Sequence, residues 1–307
     1  NNYDQADTIV LGDTIRGSVF DNNDRDWYVF DVASPSVFTV DLDSTGGAAS
    51  GNYYDITVYD SNQQALSYRN GSGIEGIEGD LAFDVLAPTS GLYYVEVTDS
   101  TYHKDDPYEL SVVQADGSLY DYETEDNNVF AWYPDDEFRT DTMSFGKGMY
   151  GSIMSHNDLD YYKLDVTAPG LINIDFASNL KGGSSTSSNY WDVKLWTSQT
   201  IDGQHVLDNH VIAEGSGGTE GFSFEVAASD ATLDYYVEVS AAGWHKDDPY
   251  VVTATITDGL DGYETEINNN YDQADTIVLG DTIRGSVFDN NDRDWYVFDV
   301  ASPSVFT

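Results

Sequence analysis

The sequence predicts an all-β protein made of tandem antiparallel β-sandwiches. Three observations predict it. Short runs alternate apolar with polar residues at the strand period of two. Clusters of Gly, Pro, Ser, Asn and Asp punctuate them every 8–15 residues. Composition agrees, with 23 Tyr, 13 Phe and 27 Gly among 307 residues, and no long helical periodicity is present.

The strands are read in order. Trp27–Val32, Val37–Leu42, Asp55–Tyr59, Leu81–Val85, Leu92–Val97 and Tyr108–Val113 form a first series. Turn sequences such as Asp43-Ser-Thr-Gly-Gly and Ala87-Pro-Thr-Ser-Gly separate them. Leu171–Phe176, Trp191–Trp196, Phe222–Val226 and Tyr235–Val239 form a second. About seven strands per series is the count of a β-sandwich.

Two repeats are nested in the chain. Residues 1–39 and 269–307 are the same 39 letters, so one period is 268 residues. Within it, Gly17-Ser-Val-Phe matches Gly151-Ser-Ile-Met, and Tyr93-Tyr-Val-Glu-Val matches Tyr235-Tyr-Val-Glu-Val. His103-Lys-Asp-Asp-Pro-Tyr matches His245-Lys-Asp-Asp-Pro-Tyr, and Tyr122-Glu-Thr-Glu matches Tyr263-Glu-Thr-Glu. The division is therefore 1–118 and 119–260 as two sandwiches, with 261–307 as a linker and the first strands of the next copy. The offset grows from 134 to 142 residues, which places extra loop in the second unit, expected at Lys181–Asn189. The joints Ala115–Asp121 and Asp258–Gly262 are short, so neighbouring domains should sit close. The incomplete copy would expose strand edges and apolar faces alone. It is expected to pair with another sandwich, of the same or a neighbouring chain, by strand addition.

Charge limits the partners. With 55 acidic and 12 basic side chains, the formal charge of −43 repels nucleic acid and anionic membranes. Such acidity serves solubility in a salty medium, or divalent cation sites, or a basic partner. The absence of cysteine excludes disulfides and thiolate metal sites. No apolar run is long enough to insert in a membrane.

At these residues the pattern resembles the bacterial pre-peptidase C-terminal domain family, which includes the collagen-binding domains of clostridial collagenases. The likeness rests on Glu-x-Glu-x-Asn-Asn, Gly-Ser-(Val/Ile), Asp-x-Asp-(Trp/Tyr)-Tyr, Tyr-Tyr-Val-Glu-Val and a closing Pro-Tyr strand, found in that order twice. It implies jelly-roll-like accessory modules of secreted proteins, several of which bind calcium.

The residues themselves admit the same metal. Glu123, Glu125 and Asn127 share one face of an extended entrance, with Asn128 beside them. Asn157, Asp158 and Asp160 occupy a polar loop before a strand. Together they offer the six to eight oxygens calcium takes. The resemblance implies calcium at both clusters. The next copy repeats them as Glu264, Glu266, Asn268 and Asn269, with Asn291, Asp292 and Asp294. The first domain has Asn1, Asn23, Asp24 and Asp26 without the upstream glutamates, so its site is expected to be weak or empty. The competing reading is ordinary Asn/Asp turns with solvated carboxylates.

No catalytic constellation is present: neither Gly-x-Ser-x-Gly nor His-Glu-x-x-His occurs. The His-Lys-Asp-Asp-Pro copies read as charged hairpin loops. They also read as a repeated contact surface built from Tyr102, His103 and Lys104 and from Trp244, His245 and Lys246. Trp132, Trp191 and Trp196 read as core or as a binding face. The expected function is a non-enzymatic, extracellular, secreted or cell-surface repeat of an adhesin or filament, with calcium-stiffened joints and other copies of itself as partners. The alternative is a protein- or polysaccharide-binding accessory module of a secreted hydrolase.

Overall fold

The computed structural model describes residues 2–21, 23–44, 54–70, 80–99, 107–115, 120–124, 127, 140–178, 190–201, 204–217, 221–228, 231–242, 248–265, 268–285 and 293–302. Nine strands build the first sandwich: β1 (Asp7–Thr8), β2 (Thr14–Gly17), β3 (Arg25–Val32), β4 (Ser36–Ser44), β5 (Tyr54–Tyr59), β6 (Ala65–Asn70), β7 (Asp80–Ala87), β8 (Gly91–Asp99) and β9 (Tyr108–Gln114). They form two sheets, ordered β1-β3-β8-β5-β6 and β2-β9-β4-β7. Alternation decides which side chains face inward. In β3, Tyr28, Phe30 and Val32 are buried, and they pack with Val40, Val95 and Leu110 in one core.

The second sandwich repeats this plan with β10 (Tyr120–Tyr122), β11 (Asp141–Met143), β12 (Gly148–Gly151), β13 (Leu159–Leu164), β14 (Gly170–Ser178), β15 (Trp191–Ile201), β16 (Gln204–Gly217), β17 (Phe222–Ala228), β18 (Asp234–Ala241) and β19 (Tyr250–Asp258). Its sheets are β11-β13-β18-β15-β16 and β10-β12-β19-β14-β17. Trp191 is fully buried in this core, whereas Trp196 packs on a small separate cluster with Tyr161 and Tyr236. Trp132 and Lys181–Asn189 lie outside the described residues. Part of the extra length is visible instead in the β15–β16 hairpin, whose strands have 11 and 14 residues against six and six in β5–β6.

The sheets are not wholly antiparallel. β1 pairs in parallel with β3, β11 with β13, and β10 with β12. A parallel pair needs a crossover connection. Here β2 supplies it for β1 and β3 by lying in the opposite sheet, and β12 does so for β11 and β13. The remaining strand, β10, comes from the linker. It extends a sheet of the second, so the joint is built into the following domain.

After β19 the chain turns at Gly259 and Gly262, whose φ of +84° and +81° suit glycine. The final segment forms a short parallel pair, β20 (Asp275–Thr276) and β21 (Tyr296–Val297). Among the described residues these strands join no other sheet of the chain. Identical letters therefore stand in two settings. Phe30 is 2% exposed and its copy Phe298 is 44% exposed; Val32 is 1% and Val300 38%. In the first sandwich the opposite sheet covers Phe30 and Val32.

Candidate functional site at the domain entrance

The site forms where the linker enters the second sandwich. The Glu123 backbone N–H donates to the Tyr150 carbonyl at 2.9 Å, which continues the β10–β12 ladder by one residue. This register turns the Glu123 side chain into the sandwich mouth, where it is 1% exposed. Its Oε1 accepts the Ser152 backbone N–H at 2.7 Å and the Ser152 hydroxyl at 3.3 Å. Its Oε2 accepts the Tyr162 hydroxyl at 2.9 Å. Tyr162 and Tyr250 hydroxyls meet at 2.6 Å, and Tyr250 donates to fully buried Asp160. A line of Glu123, Tyr162, Tyr250 and Asp160 thus crosses the interior between the sheets. Burial first, and the two carboxylates second, push both phenols far above their ordinary range.

Asp141 fastens the rest of the entrance. Its Oδ2 accepts the Thr124 N–H at 2.7 Å and the Asn127 side-chain N–H at 3.4 Å. Asn127 is 1% exposed, and its Oδ1 is buried with no hydrogen-bond partner. Gly151 lies under the line. A Cβ there would meet Glu123 Oε2 at 2.5 Å and both tyrosine hydroxyls closer still.

The next copy rebuilds this arrangement. Glu264 N–H donates to the Arg284 carbonyl at 2.9 Å, and Tyr296 donates to Glu264 Oε2 at 2.5 Å. Asn268 donates to Glu264 and to Asp275, both at 3.2 Å, and Thr265 N–H donates to Asp275 at 2.7 Å. Asn269 Oδ1 accepts the Arg293 N–H at 2.6 Å, and the Asp294 carboxylate is partly buried.

The structure thus brings Glu123, Asn127 and Asp160 to one entrance, and Glu264, Asn268 and Asn269 to the other. Asp158 is buried but closes its own turn, its Oδ2 accepting the Met154 N–H at 2.6 Å. Asn157 is exposed at the tip of that turn. Glu125, Asn128, Glu266, Asn291 and Asp292 lie outside the described residues, as do Tyr102, His103, Lys104, Trp244, His245 and Lys246. Among the described residues, no group of three or more Asp, Glu, His or Cys side chains is placed to hold a metal. The amide oxygen of Asn127 nevertheless suits a hard cation, and the donors in view are all oxygen. Sequence reasoning missed Asp141, Asp275 and the hydroxyls of Tyr162, Tyr250 and Tyr296.

The first sandwich holds the simpler form. Tyr28 and Tyr108 hydroxyls meet at 2.7 Å, and Tyr108 donates to Asp26 at 2.6 Å. Burial pushes the Tyr28 phenol up to about 12. Burial, helped by Asp24 and opposed by the Tyr108 hydrogen bond, also raises Asp26 above 3.8. A raised carboxyl favours its protonated form in the fold. Its contribution is present at low pH and is lost as pH climbs through the raised value. Asp26→Asn should therefore flatten the fall in melting temperature of the first sandwich as pH rises from about 4. Melts of both proteins across that range check it; parallel curves refute it.

The joint between the sandwiches is built from the same region. Arg69 of β6 pairs with Asp248 of the His-Lys-Asp-Asp-Pro loop at 3.0 Å, with side chains 19% and 3% exposed. The Arg69 guanidinium also lies 5.1 Å from the Phe83 ring centroid. Met154 packs against the first core. A cavity of about 430 Å³ lies between Leu66, Pro88 and Tyr93 on one side and Met154, Ser155 and Asp158 on the other.

Residues 24–99 match the family described as the bacterial pre-peptidase C-terminal domain. No curated protein sequence matches the chain. Among solved structures, the pre-peptidase C-terminal domain of a collagenase from Bacillus anthracis is similar at 24% identity and a TM-score of 0.29, covering 36% of this chain and 98% of that one. The tandem CBM51 modules of a family 98 glycoside hydrolase from Streptococcus pneumoniae are similar at 11% identity and a TM-score of 0.25, covering 80% and 84%. Among the described residues no helix is long and apolar enough to cross a membrane. The segment 24–99, which holds strands β3 to β8, is thus similar to the bacterial pre-peptidase C-terminal domain family.

Proposed function

We propose that this chain is a non-enzymatic structural segment of a secreted adhesin or filament, in which calcium stiffens the entrances between β-sandwich domains. One observation carries the reading. The linker carboxylate Glu123 is buried and bonded inside the following sandwich, and Glu264 repeats it one domain later. A linker held in this way sets the angle between domains. Glu123, Asn127 and Asp160, with Glu125 by its place in the sequence, would hold the ion. The second entrance offers Glu264, Asn268 and Asn269, with Glu266, Asn291, Asp292 and Asp294. Bound calcium would supply positive charge to these oxygens.

Extracellular calcium modules have Kd values of roughly 0.1–1 mM. At ten times Kd the linkage is about 1.4 kcal/mol per site. Calorimetric titration of the full chain should show this affinity, and calcium should raise the melting temperature by a few degrees over chelator. Glu123→Gln and Asn127→Ala should each reduce the heat. Absence of heat, with superimposed melts, refutes calcium as the stiffening agent.

Strand addition between neighbouring units is the self-association that belongs to this reading. A second reading, a ligand-binding accessory module, is favoured by the family match and by one surface. Tyr3, Trp27, Tyr59 and Tyr94 form a contiguous aromatic group on the outer face of the first sandwich. Such a platform suits a polysaccharide or peptide.

A further inference from the structure

The short strands β1, β11 and β20 all open with Asp-Thr. Each lies parallel to a strand that carries a tyrosine, in the same register. Asp7 stands opposite Tyr28, Asp141 opposite Tyr162, and Asp275 opposite Tyr296. Strands this short bury little apolar surface. What they place is a carboxylate. Tyr162 and Tyr296 are the hydroxyls that hold Glu123 and Glu264, so Asp141 and Asp275 are fixed beside the two entrances.

At each entrance the aspartate makes the same two bonds. Asp141 Oδ2 accepts the Thr124 N–H at 2.7 Å and the Asn127 side-chain N–H at 3.4 Å. Asp275 Oδ2 accepts the Thr265 N–H at 2.7 Å and the Asn268 side-chain N–H at 3.2 Å. Glu264 Oε2 accepts that second amide as well, at 3.2 Å. The backbone bond grips the linker. The side-chain bond decides which way round the asparagine amide lies. An amide oxygen only accepts, so the amide nitrogen is the end that faces an accepting carboxylate oxygen, and the amide oxygen turns the other way. Asn127 shows the result. Its side chain is 1% exposed, and its Oδ1 has no hydrogen-bond partner among the described residues. An acceptor buried in this way costs free energy until something binds it. A hard cation is such a partner.

We propose that Asp141 is a positioning residue for calcium, which acts without touching the ion by holding the Asn127 amide with its oxygen toward it. Asp275 does the same for Asn268 at the next entrance. This rests on the calcium reading above and adds the residue that aims one of the ligands. It also gives the short parallel strands a task, since their register sets where the carboxylate stands.

The test titrates calcium by calorimetry into the full chain carrying Glu264→Gln, so that the Glu123 entrance alone responds. Asp141→Ala should weaken calcium binding about tenfold, as loss of the partner that orients a metal ligand does. The discriminating background is Asn127→Asp. A carboxylate presents oxygen whichever way it is turned, so Asp141→Ala should cost less than about twofold there. Equal losses in both backgrounds overturn the proposal, because Asp141 would then act only by gripping the linker. An unchanged affinity in Asp141→Ala overturns it as well. Absence of calcium heat with Asp141 intact overturns the calcium reading itself, and the proposal with it. Circular dichroism in chelator checks the fold of each variant. If Asp141→Ala does not fold, the nearly isosteric Asp141→Asn carries the same comparison. Its amide can meet Asn127 with either end, so affinity should fall in the Asn127 chain and hold in the Asn127→Asp chain.

Discussion

Replacing Gly151 by alanine should lower the stability of the second sandwich by about 2–3 kcal/mol. The added methyl would meet the Glu123 carboxylate and the Tyr162 and Tyr250 hydroxyls at once. None of the three can simply step aside. Tyr162 and Tyr250 are fully buried, and Glu123 is bonded to Ser152 and Tyr162. Moving the carboxylate would strand buried donors, which adds desolvation cost to overpacking. Chemical denaturation followed by Trp191 fluorescence measures the loss. Gly146→Ala is the control: its φ is +77° and nothing lies within 4 Å of the new Cβ, so it should show only the strain of a left-handed residue, about 1 kcal/mol. Equal losses would show that crowding at the entrance is unimportant. On the calcium reading proposed above, the Gly151 variant should also bind calcium more weakly, because the methyl displaces Glu123.

Removing one partner of the joint ion pair should have an effect of similar size. Asp248→Leu leaves the Arg69 guanidinium facing an apolar side chain in a largely buried contact. Breaking such a pair costs about 3 kcal/mol. The loss falls on the contact between domains, so the two sandwiches should melt in separate steps and the scattering profile should show a wider range of shapes. Arg69→Met in the same chain should recover much of the loss, since an apolar pair of similar volume can replace a buried ion pair. A single unchanged transition in Asp248→Leu would show that the joint is held by other contacts.

The all-β sandwich class was legible because the longer strands alternate over five or more residues. The short parallel strands were not. Two or three residues, as in Asp7–Thr8 or Asp141–Met143, carry no measurable period. Glu123 and Asn127 were legible as entrance residues from Tyr-Glu-Thr-Glu-x-Asn-Asn, but their burial was not. In so acidic a chain, one carboxylate turned inward looks like the many that face water. Asp141 was missed for the same reason, although Asp-Thr stands at the matching place in each copy, at 7, 141 and 275. The tyrosine hydroxyls were missed because Tyr in a strand reads as apolar bulk, and only the folded sheets bring Tyr162 and Tyr250 together across 88 residues. The His-Lys-Asp-Asp-Pro loop was read as a contact surface or a hairpin. The residues named for that surface lie outside the described ones, and Asp248 beside them pairs with Arg69 of the sandwich before.

Tandem copies with identical sequence face a hazard during folding, since a strand of one copy can pair with the wrong neighbour. The last 47 residues bear on it. Glu264, Thr265, Asn268, Asp275 and Tyr296 are joined to one another, and β20 is paired with β21, within residues 264–297. The opening of each domain thus closes on its own linker, using residues that leave a ribosome within about 35 positions of each other. Each copy is tied to its own starting point before its distant strands exist, and so register between copies is set locally, one entrance at a time.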